Sequence, residues 1–515
     1  MNLLYCLRRG CRTYPHNVAV RDRDRTVTYR QFWRRVHQSA ATLRGLGLAK
    51  DDRISVLLLN SPEYLELYYS TLVAGAVIVP LNTRWNIADI AFSINDSGSR
   101  VLVVDDKFAP MVPEIRAAAP LLETIVFTGT GPCPLGMTPY EEGVSLADPA
   151  FDSWSEPAED DLAGLFYTSG TTGGPKGVML THRNLYANTI NGMDALRFEP
   201  GAVWLHAAPM FHAADISSLH ALSAVGATHI FLATFDPEET LRLIEDCGVT
   251  NTVLVPTMVN MVVNHANFGR YNLSTLRYLL YGASPMPLPL LEKAMECIPC
   301  KFAQGYGLTE ASPLLTVLLH EDHKLEDTDR AFAPVKSAGR PAFGVEVRVV
   351  DENDCDVPVF EVGEIIARGA NIMVGYWNRP EINQEILRGG WLHTGDAGSF
   401  DEEGFLYILD RKKDMIKPGG ENVYSPDVES SLMAHPDVLE AAVIGVPHPK
   451  WGETIRAVIT RRDDSTLSEE ALIEWCRASM THFKCPTSVV FVDSLPKGGT
   501  GKVQKNVLRH QYGSP

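Results

Sequence analysis

The stretch YTSGTTGGPKGVMLTHRNL, Tyr167 to Leu185, places four glycines (Gly170, Gly173, Gly174 and Gly177) among hydroxyl side chains and one lysine, Lys176. It leaves the apolar, strand-like Leu162 to Tyr167. A glycine-rich loop leaving a strand can turn its backbone N–H groups inward as an anion nest. Thr168, Ser169, Thr171 and Thr172 add hydroxyl donors, and Lys176 adds a point charge suited to phosphate. The P-loop pattern, which needs Gly-Lys followed by Ser or Thr, is absent. Flexible surface loops share parts of this composition. Four hydroxyls, four glycines and a lysine within ten positions point to a phosphate binder all the same. The loop alone does not say which reaction follows.

A chain of 515 residues exceeds what one hydrophobic core organises, so at least two domains are expected. Hydrophobic residues make up 45% and charged residues 21%, the balance of a soluble globular protein. A formal net charge of −17 repels nucleic acid and anionic membranes, which argues against either as the main partner. Arg8 and Arg9 interrupt the N-terminal apolar run, so no secretory segment is read there. The longest apolar run, Ser70 to Leu81, is too short to cross a bilayer. Nine scattered cysteines suit a reduced, cytoplasmic protein. The lone Cys297-x-x-Cys300 reads as two packed thiols beside a buried strand rather than a metal site.

Strand-like and helix-like segments alternate through the first half: Ile54 to Leu59, Pro62 to Ala74, Ala76 to Val79, Val101 to Val104, Thr124 to Phe127, His229 to Leu232 and Thr252 to Val255. That alternation predicts doubly wound, mainly parallel α/β sheets. From about Ala338 the pattern becomes apolar–polar alternation between turns, as in an antiparallel barrel or sheet. The polar, glycine-rich LDRKKDMIKPGGENV, Leu409 to Val423, precedes about a hundred residues with their own strands and an amphipathic helix, Ser468 to Ser479. A domain boundary is expected near Asp410.

Three further segments narrow the chemistry. QGYGLTE, Gln304 to Glu310, offers Tyr306 for stacking on a purine and Glu310 for Mg²⁺ against a triphosphate. HTGD, His393 to Asp396, ends in a carboxylate able to accept both ribose hydroxyls. PKGGTGKVQK, Pro496 to Lys505, is a second glycine–lysine loop. Singly, each also reads as a turn, a cap or a basic tail.

In this order, together with YGASPMP at Tyr281 to Pro287 and DRKKDMIKPGGENVYSPDVE at Asp410 to Glu429, they resemble the adenylate-forming superfamily. That group includes acyl-CoA and aryl-CoA ligases, peptide-synthetase adenylation domains and firefly-type luciferases. The likeness covers essentially the whole chain. It implies an α/β fold with a large N-terminal domain, residues 1–410, built of two α/β subdomains and a small β-barrel. Residues 411–515 would form a small, mobile α+β lid.

The resemblance also implies roles. Thr168, Ser169, Gly170, Thr171, Thr172, Gly173 and Lys176 would embrace the β- and γ-phosphates of ATP. Gly282, Ala283 and Ser284 would line the adenine and acyl-carboxylate region. Gln304, Gly305, Tyr306 and Gly307 would complete the nucleotide site, with Tyr306 on adenine and Thr309 near the α-phosphate. Glu310 would hold Mg²⁺, and Asp396 and Arg411 the ribose. Lys413 matches the hinge. Lys502 matches the lid lysine that bridges carboxylate and phosphate. Lys417, Gly419 and Gly420 match the loop lining the pantetheine channel of coenzyme A. The implied reaction is an AMP-forming acid–CoA ligation: ATP and a carboxylic acid give an acyl-adenylate and pyrophosphate, and the CoA thiol then takes the acyl group.

PMFHAADIS, Pro209 to Ser217, lies where the family's acyl pocket begins. Amino-acid activators carry an aspartate after the Phe; here it is His212, and Asp215 is offset, which disfavours a free amino acid. His212 would gate the acyl site or contact the adenylate, its plainer reading being a core histidine. Trp204, His206, Phe231, Met258 and Leu314 are the candidate walls, suited to a hydrophobic acid: fatty, aryl or polycyclic. Two departures stand out. Lys417 is followed by Pro418, and Ser425-Pro426 reverses the order usual in relatives, where Pro comes first. Because Pro fixes φ and lacks a donor, these bear on lid orientation. The runners-up are an acyl-AMP ligase loading a carrier protein, an enzyme specialised for one half-reaction and, more distantly, a luciferase-like oxidase. Oligomeric state stays open, a homodimer included.

Overall fold

The structure, a computed structural model, describes all residues except 24, 149–155, 169–173, 327, 329, 331, 412–413, 463–464, 499–501 and 515, and the side chains of 194 and 217. Local signals set the elements. Helix Pro62–Ala74 starts where the Ser61 hydroxyl accepts from the Tyr64 N–H and Pro62 pre-sets φ, and it stops at Gly75, whose φ is 67°.

Two large sheets form the body. In the eight-stranded sheet, Val77–Pro80, Arg53–Leu57, Val101–Val104 and Thr124–Phe127 run parallel. Strand Leu162–Thr168 then pairs antiparallel with Lys176–Thr181. The nine-stranded sheet has a parallel centre of Tyr278–Gly282, Asn251–Leu254, Val203–His206 and Thr228–Phe231. The N-terminal hairpin Val18–Asp22 and Arg25–Thr28 extends one edge of it. The body is thus doubly wound, as expected.

After residue 338 the alternating segment forms a four-stranded antiparallel sheet of Val345–Val350, Gly363–Gly369, Leu392–Phe400 and Leu406–Arg411. The C-terminal residues build a three-stranded sheet, Val438–His448, Gly452–Arg461 and Ser488–Phe491. Its own core includes Ile416, Val428, Leu432, Val443, Ile455 and Leu472. Among the described residues, several polar contacts join this lid to the body. Arg84 donates to the Gly498 carbonyl at 3.0 Å, Asn260 donates to the Leu439 carbonyl at 3.4 Å, and Arg462 donates to Asn264 Oδ1 at 3.2 Å.

One local reading is corrected. Cys297 is the exposed last residue of helix Leu288–Cys297, and only Cys300 is partly buried, with burial pushing its thiol up to about 12. The pair is therefore not two packed thiols. All nine cysteines are free, and among the described residues no cluster of His, Cys, Asp or Glu could hold a metal unaided.

Candidate active site

The phosphate-loop candidate is a hairpin. Strand Leu162–Thr168 runs up to it and Lys176–Thr181 returns, with Thr168 opposite Lys176. Ser169, Gly170, Thr171, Thr172 and Gly173 lie outside the described residues, as does Lys413. Gly174 has φ 95°, a left-handed conformation that favours glycine. Lys176 projects over the Tyr376 ring, 5.4 Å from its centroid. Tyr376 in turn donates to Glu310 Oε1 at 2.6 Å. The hairpin base and the metal candidate are therefore neighbours, joined by a tyrosine that the sequence reading passed over. The sequence offers only a faint signal for it: Tyr376 follows a glycine, as Tyr306 does, but is followed by Trp377.

Glu310 and Thr309 sit in a buried 3₁₀ turn after strand Lys301–Gly307. That strand presses on Tyr278–Gly282 so closely that a Cβ at Gly282 would lie 2.2 Å from the Gly305 carbonyl oxygen. A Cβ at Gly307 would lie 1.7 Å from the Pro313 carbonyl oxygen. Only glycine fits either place. The chain then turns through Ala283 at φ 65°, before the half-buried Ser284. Gln304 precedes Gly305 on the same strand.

Tyr306 donates to Asp396 Oδ2 at 2.8 Å. Asp396 stands opposite Arg411 in the antiparallel ladder, with the guanidinium Nε 3.6 Å from Oδ1. Burial raises the Asp396 carboxyl above its usual range, against the pull of Arg411 and the Tyr306 hydroxyl. The QGYG and HTGD segments, ninety residues apart, thus meet through one hydrogen bond.

Lys502 faces this group from the lid. Among the described residues its ammonium makes no ion pair or hydrogen bond, and the residue is exposed. Desolvation by the surrounding protein, then repulsion from Arg411, pushes its ammonium down to about 8, against the attraction of Asp396, Asp414 and Glu310. His212 caps helix Ala213–Val225, its Nδ1 accepting from the Ala214 N–H at 3.2 Å. Burial and the nearby Lys502 charge lower the imidazole to about 4. Lys502, His212, Asp396, Arg411 and Glu310 therefore share one cleft where lid meets body.

The five acyl-wall candidates do not form one wall. Strand period and parallel register place Trp204, His206 and Phe231 on one sheet face, with Leu280 and Ala303. Met258 packs on the opposite face, among Leu205, Leu254, Leu279 and Tyr281. Helix Pro256–Val263, which carries it, covers that other face; spacing alone does not fix which side of a sheet a helix takes. Trp204 and His206 are wholly buried. His206 is a core histidine: Nδ1 bonds Asp215 Oδ2 at 2.6 Å, and Nε2 bonds His229 Nδ1 at 2.9 Å. Asp215 is thereby committed to the core. Phe231 and Leu314 are buried with Met210, Phe211 and Ala311 in the main core cluster, and a Cβ on Gly305 would come within 3.1 Å of Leu314.

In the loop after the hinge, Gly419 has φ 63° and Gly420 φ 93°. The Gly419 N–H donates to the Trp451 carbonyl at 2.8 Å, and the Lys417 N–H donates to Glu453 at 2.9 Å. Both glycines are exposed, and a Cβ at Gly420 would meet nothing within 4 Å.

The chain matches the AMP-binding enzyme family over residues 7–377 and the AMP-binding enzyme C-terminal domain over residues 427–502. It belongs to that family, within the adenylate-forming superfamily. It is an AMP-forming acid–CoA ligase, an acyl-CoA synthetase that uses ATP and CoA and makes a carbon–sulfur bond. It is 39% identical over 513 residues to a feruloyl-CoA synthase of an Amycolatopsis species, covering 98% of each chain. It is 35% identical over 489 residues to a long-chain-fatty-acid–CoA ligase of Mycobacterium tuberculosis, covering 95% of this chain and 94% of the relative. Among solved structures, ATP-bound MatB from Rhodopseudomonas palustris superposes with a TM-score of 0.87 at 32% identity, covering 99% of both chains. No helix among the described residues is long and apolar enough to cross a membrane.

Proposed function

We propose that the cleft activates a compact-to-long hydrophobic carboxylic acid, aryl or fatty, in two steps divided between two lid orientations. The observation that carries this reading is Lys502, an ammonium without an ion-pair or hydrogen-bond partner among the described residues, set in the field of Asp396, Arg411 and Glu310. A carboxylate attacks a polyanionic triphosphate poorly unless positive charge neutralises the phosphate oxygens. Lys502 supplies that charge from the lid and reaches both carboxylate and α-phosphate. Lys176 and the Thr168 hairpin take the outer phosphates. Tyr306 stacks on adenine, and Asp396 with Arg411 binds the ribose.

Glu310 fits Mg²⁺. Oε1 is occupied by Tyr376, which leaves the second oxygen, and Mg²⁺ bound with a nucleotide needs only one or two carboxylates beside the phosphates. When bound there, the ion would withdraw charge from the phosphate oxygens. Once pyrophosphate has left, rotation at Lys413 removes Lys502 and brings Gly419 and Gly420 to the cleft for the thiol.

The acids used by relatives set the test. Purified protein with ATP, Mg²⁺ and CoA is to be assayed for AMP release with ferulate, 2-succinylbenzoate, 4-hydroxybutyrate and fatty acids of graded length. AMP and pyrophosphate with a hydrophobic acid are expected. Release of ADP and phosphate, or AMP formation with a carrier protein but not CoA, overturns the reading. The nine free thiols and the need for ATP and CoA support a cytoplasmic site of action. A homodimer belongs to the same reading, and light scattering of the purified chain checks it.

The Lys502 charge makes adenylation pH-dependent. In the free enzyme the ammonium is lost as pH rises through about 8. The kcat/KM for acid-dependent pyrophosphate exchange should therefore fall above pH 8, and Lys502→Arg should shift that limb upward. A profile flat to pH 10 contradicts the assignment.

A further inference from the structure

Asp410 lies in the body strand Leu406–Arg411, and Ser425 is the first residue of the lid helix Ser425–Met433. The proposed pivot, Lys413, falls between them. Asp410 Oδ2 accepts from both the Ser425 N–H at 2.9 Å and the Ser425 hydroxyl at 2.6 Å, while Oδ1 accepts from the Arg411 N–H at 2.8 Å. Ser425 is wholly buried and Asp410 nearly so. The Ser425 hydroxyl also accepts from the Lys505 ammonium, which pairs with Glu429 at 2.7 Å. Glu429 is fixed in turn by the Val443 N–H at 2.8 Å.

Lys505 opens the last helix, Lys505–Tyr512, three residues beyond Lys502. The Lys502 loop is a small hairpin: the Gly498 N–H donates to the Lys502 carbonyl at 2.7 Å, and the Gln504 N–H donates to the Pro496 carbonyl at 2.8 Å. The body therefore holds this hairpin at two points. Arg84 grips Gly498 directly, and Asp410 acts through Ser425 and Lys505.

We infer that Ser425 is a positioning residue for adenylation: it latches the lid to Asp410 and so keeps the Lys502 hairpin over the cleft. This rests on the two-orientation reading above. Asp410 and Ser425 lie on opposite sides of the proposed pivot, so a rotation that parts them breaks this contact, and the contact holds the orientation seen here. A proline at 425 has neither the N–H nor the hydroxyl and cannot make it. The Ser425-Pro426 order thus biases the lid towards adenylation.

The test compares wild type, Ser425→Pro, Ser425→Ala and Ser425→Thr, using the best acid of the panel above. Pyrophosphate exchange reports adenylation, and thioester yield from synthetic acyl-adenylate and CoA reports the second step. Two hydrogen bonds to a carboxylate are lost in Ser425→Pro, so exchange should fall about 10–100-fold in kcat with KM for ATP little changed. Thioester formation should hold or rise. Ser425→Ala keeps the N–H and should fall several-fold, and Ser425→Thr should restore the rate. Equal loss of both steps, or unchanged exchange in Ser425→Pro and Ser425→Ala, overturns the latch. If Ser425→Pro does not fold, the Ala–Thr contrast decides. Trypsin nicking at Lys412 and Lys413 gives a readout free of activity. The latch requires faster nicking in Ser425→Ala than in wild type, and equal rates overturn it. A wild type that exchanges with no acid, yet shows this nicking difference, refutes the proposed function and spares the latch.

Discussion

Lys502→Ala should lose acid-dependent pyrophosphate exchange by about 10²–10³, the usual cost of one electrostatic contact to a developing charge. Thioester formation from supplied acyl-adenylate should persist. The asymmetry follows from placement. Lys502 is the cation that the lid extends toward Asp396, Arg411 and Glu310, and it has no other partner among the described residues. Its removal should therefore cost little stability, since no protein group is left unpaired. In the second step AMP departs from an acyl-adenylate with far less negative charge to neutralise, and the rotated lid carries residue 502 elsewhere. The assay pair is exchange of labelled pyrophosphate and CoA thioester yield, with melting temperature as the control. Equal loss of both activities at unchanged melting temperature contradicts a single cleft served by two lid faces.

The second large effect is expected at Asp396. Its carboxylate already accepts from Tyr306, and the remaining acceptor capacity points to the ribose hydroxyls. Hydrogen bonds to a charged acceptor contribute about 1.5–3 kcal/mol each, so losing two of them should raise the KM for ATP by roughly 10²–10⁴. Asp396→Ala also leaves the Tyr306 hydroxyl without its partner, which loosens the ring proposed to carry adenine. The KM for the acid and the ranking of acids should not move. Asp396→Asn, which keeps one acceptor, should lie between. Steady-state kinetics with ATP and acid varied separately check this. A changed acid ranking with an unchanged KM for ATP would remove Asp396 from the ribose site.

What was legible in the sequence was local. Helix Pro62–Ala74 and strands Val101–Val104 and Thr124–Phe127 fall on the expected residues, because caps, proline and β-branched runs act within a few positions. Tertiary partners were not legible. The hairpin Val18–Asp22 and Arg25–Thr28 joins the second sheet beside Thr228–Phe231, about two hundred residues later. Nothing in either segment names the other. Met258 was listed with Trp204, His206 and Phe231, but the sequence does not say which sheet face helix Pro256–Val263 covers. Glu310 was singled out from its motif, yet its hydrogen-bond partner Tyr376 came only with the fold. Ser425 was noticed as an irregular order of two residues; its meaning needed Asp410, fifteen positions back and across the hinge.

The lid–body seam has a consequence for recombination. At two of its polar contacts the body offers a side chain, Arg84 or Asn260, and the lid offers only a main-chain carbonyl, at Gly498 or Leu439. Every residue type presents that acceptor, so the body does not read the identity of the lid residue it touches there. A lid transplanted from a relative would meet the same hooks wherever its backbone follows the same course. What such a graft would not bring, unless its own sequence happened to carry it, is a serine at 425. Chimeric enzymes made by joining this body to foreign lids should therefore assemble readily and differ from the parent mainly in how long the lid dwells on each side of its pivot.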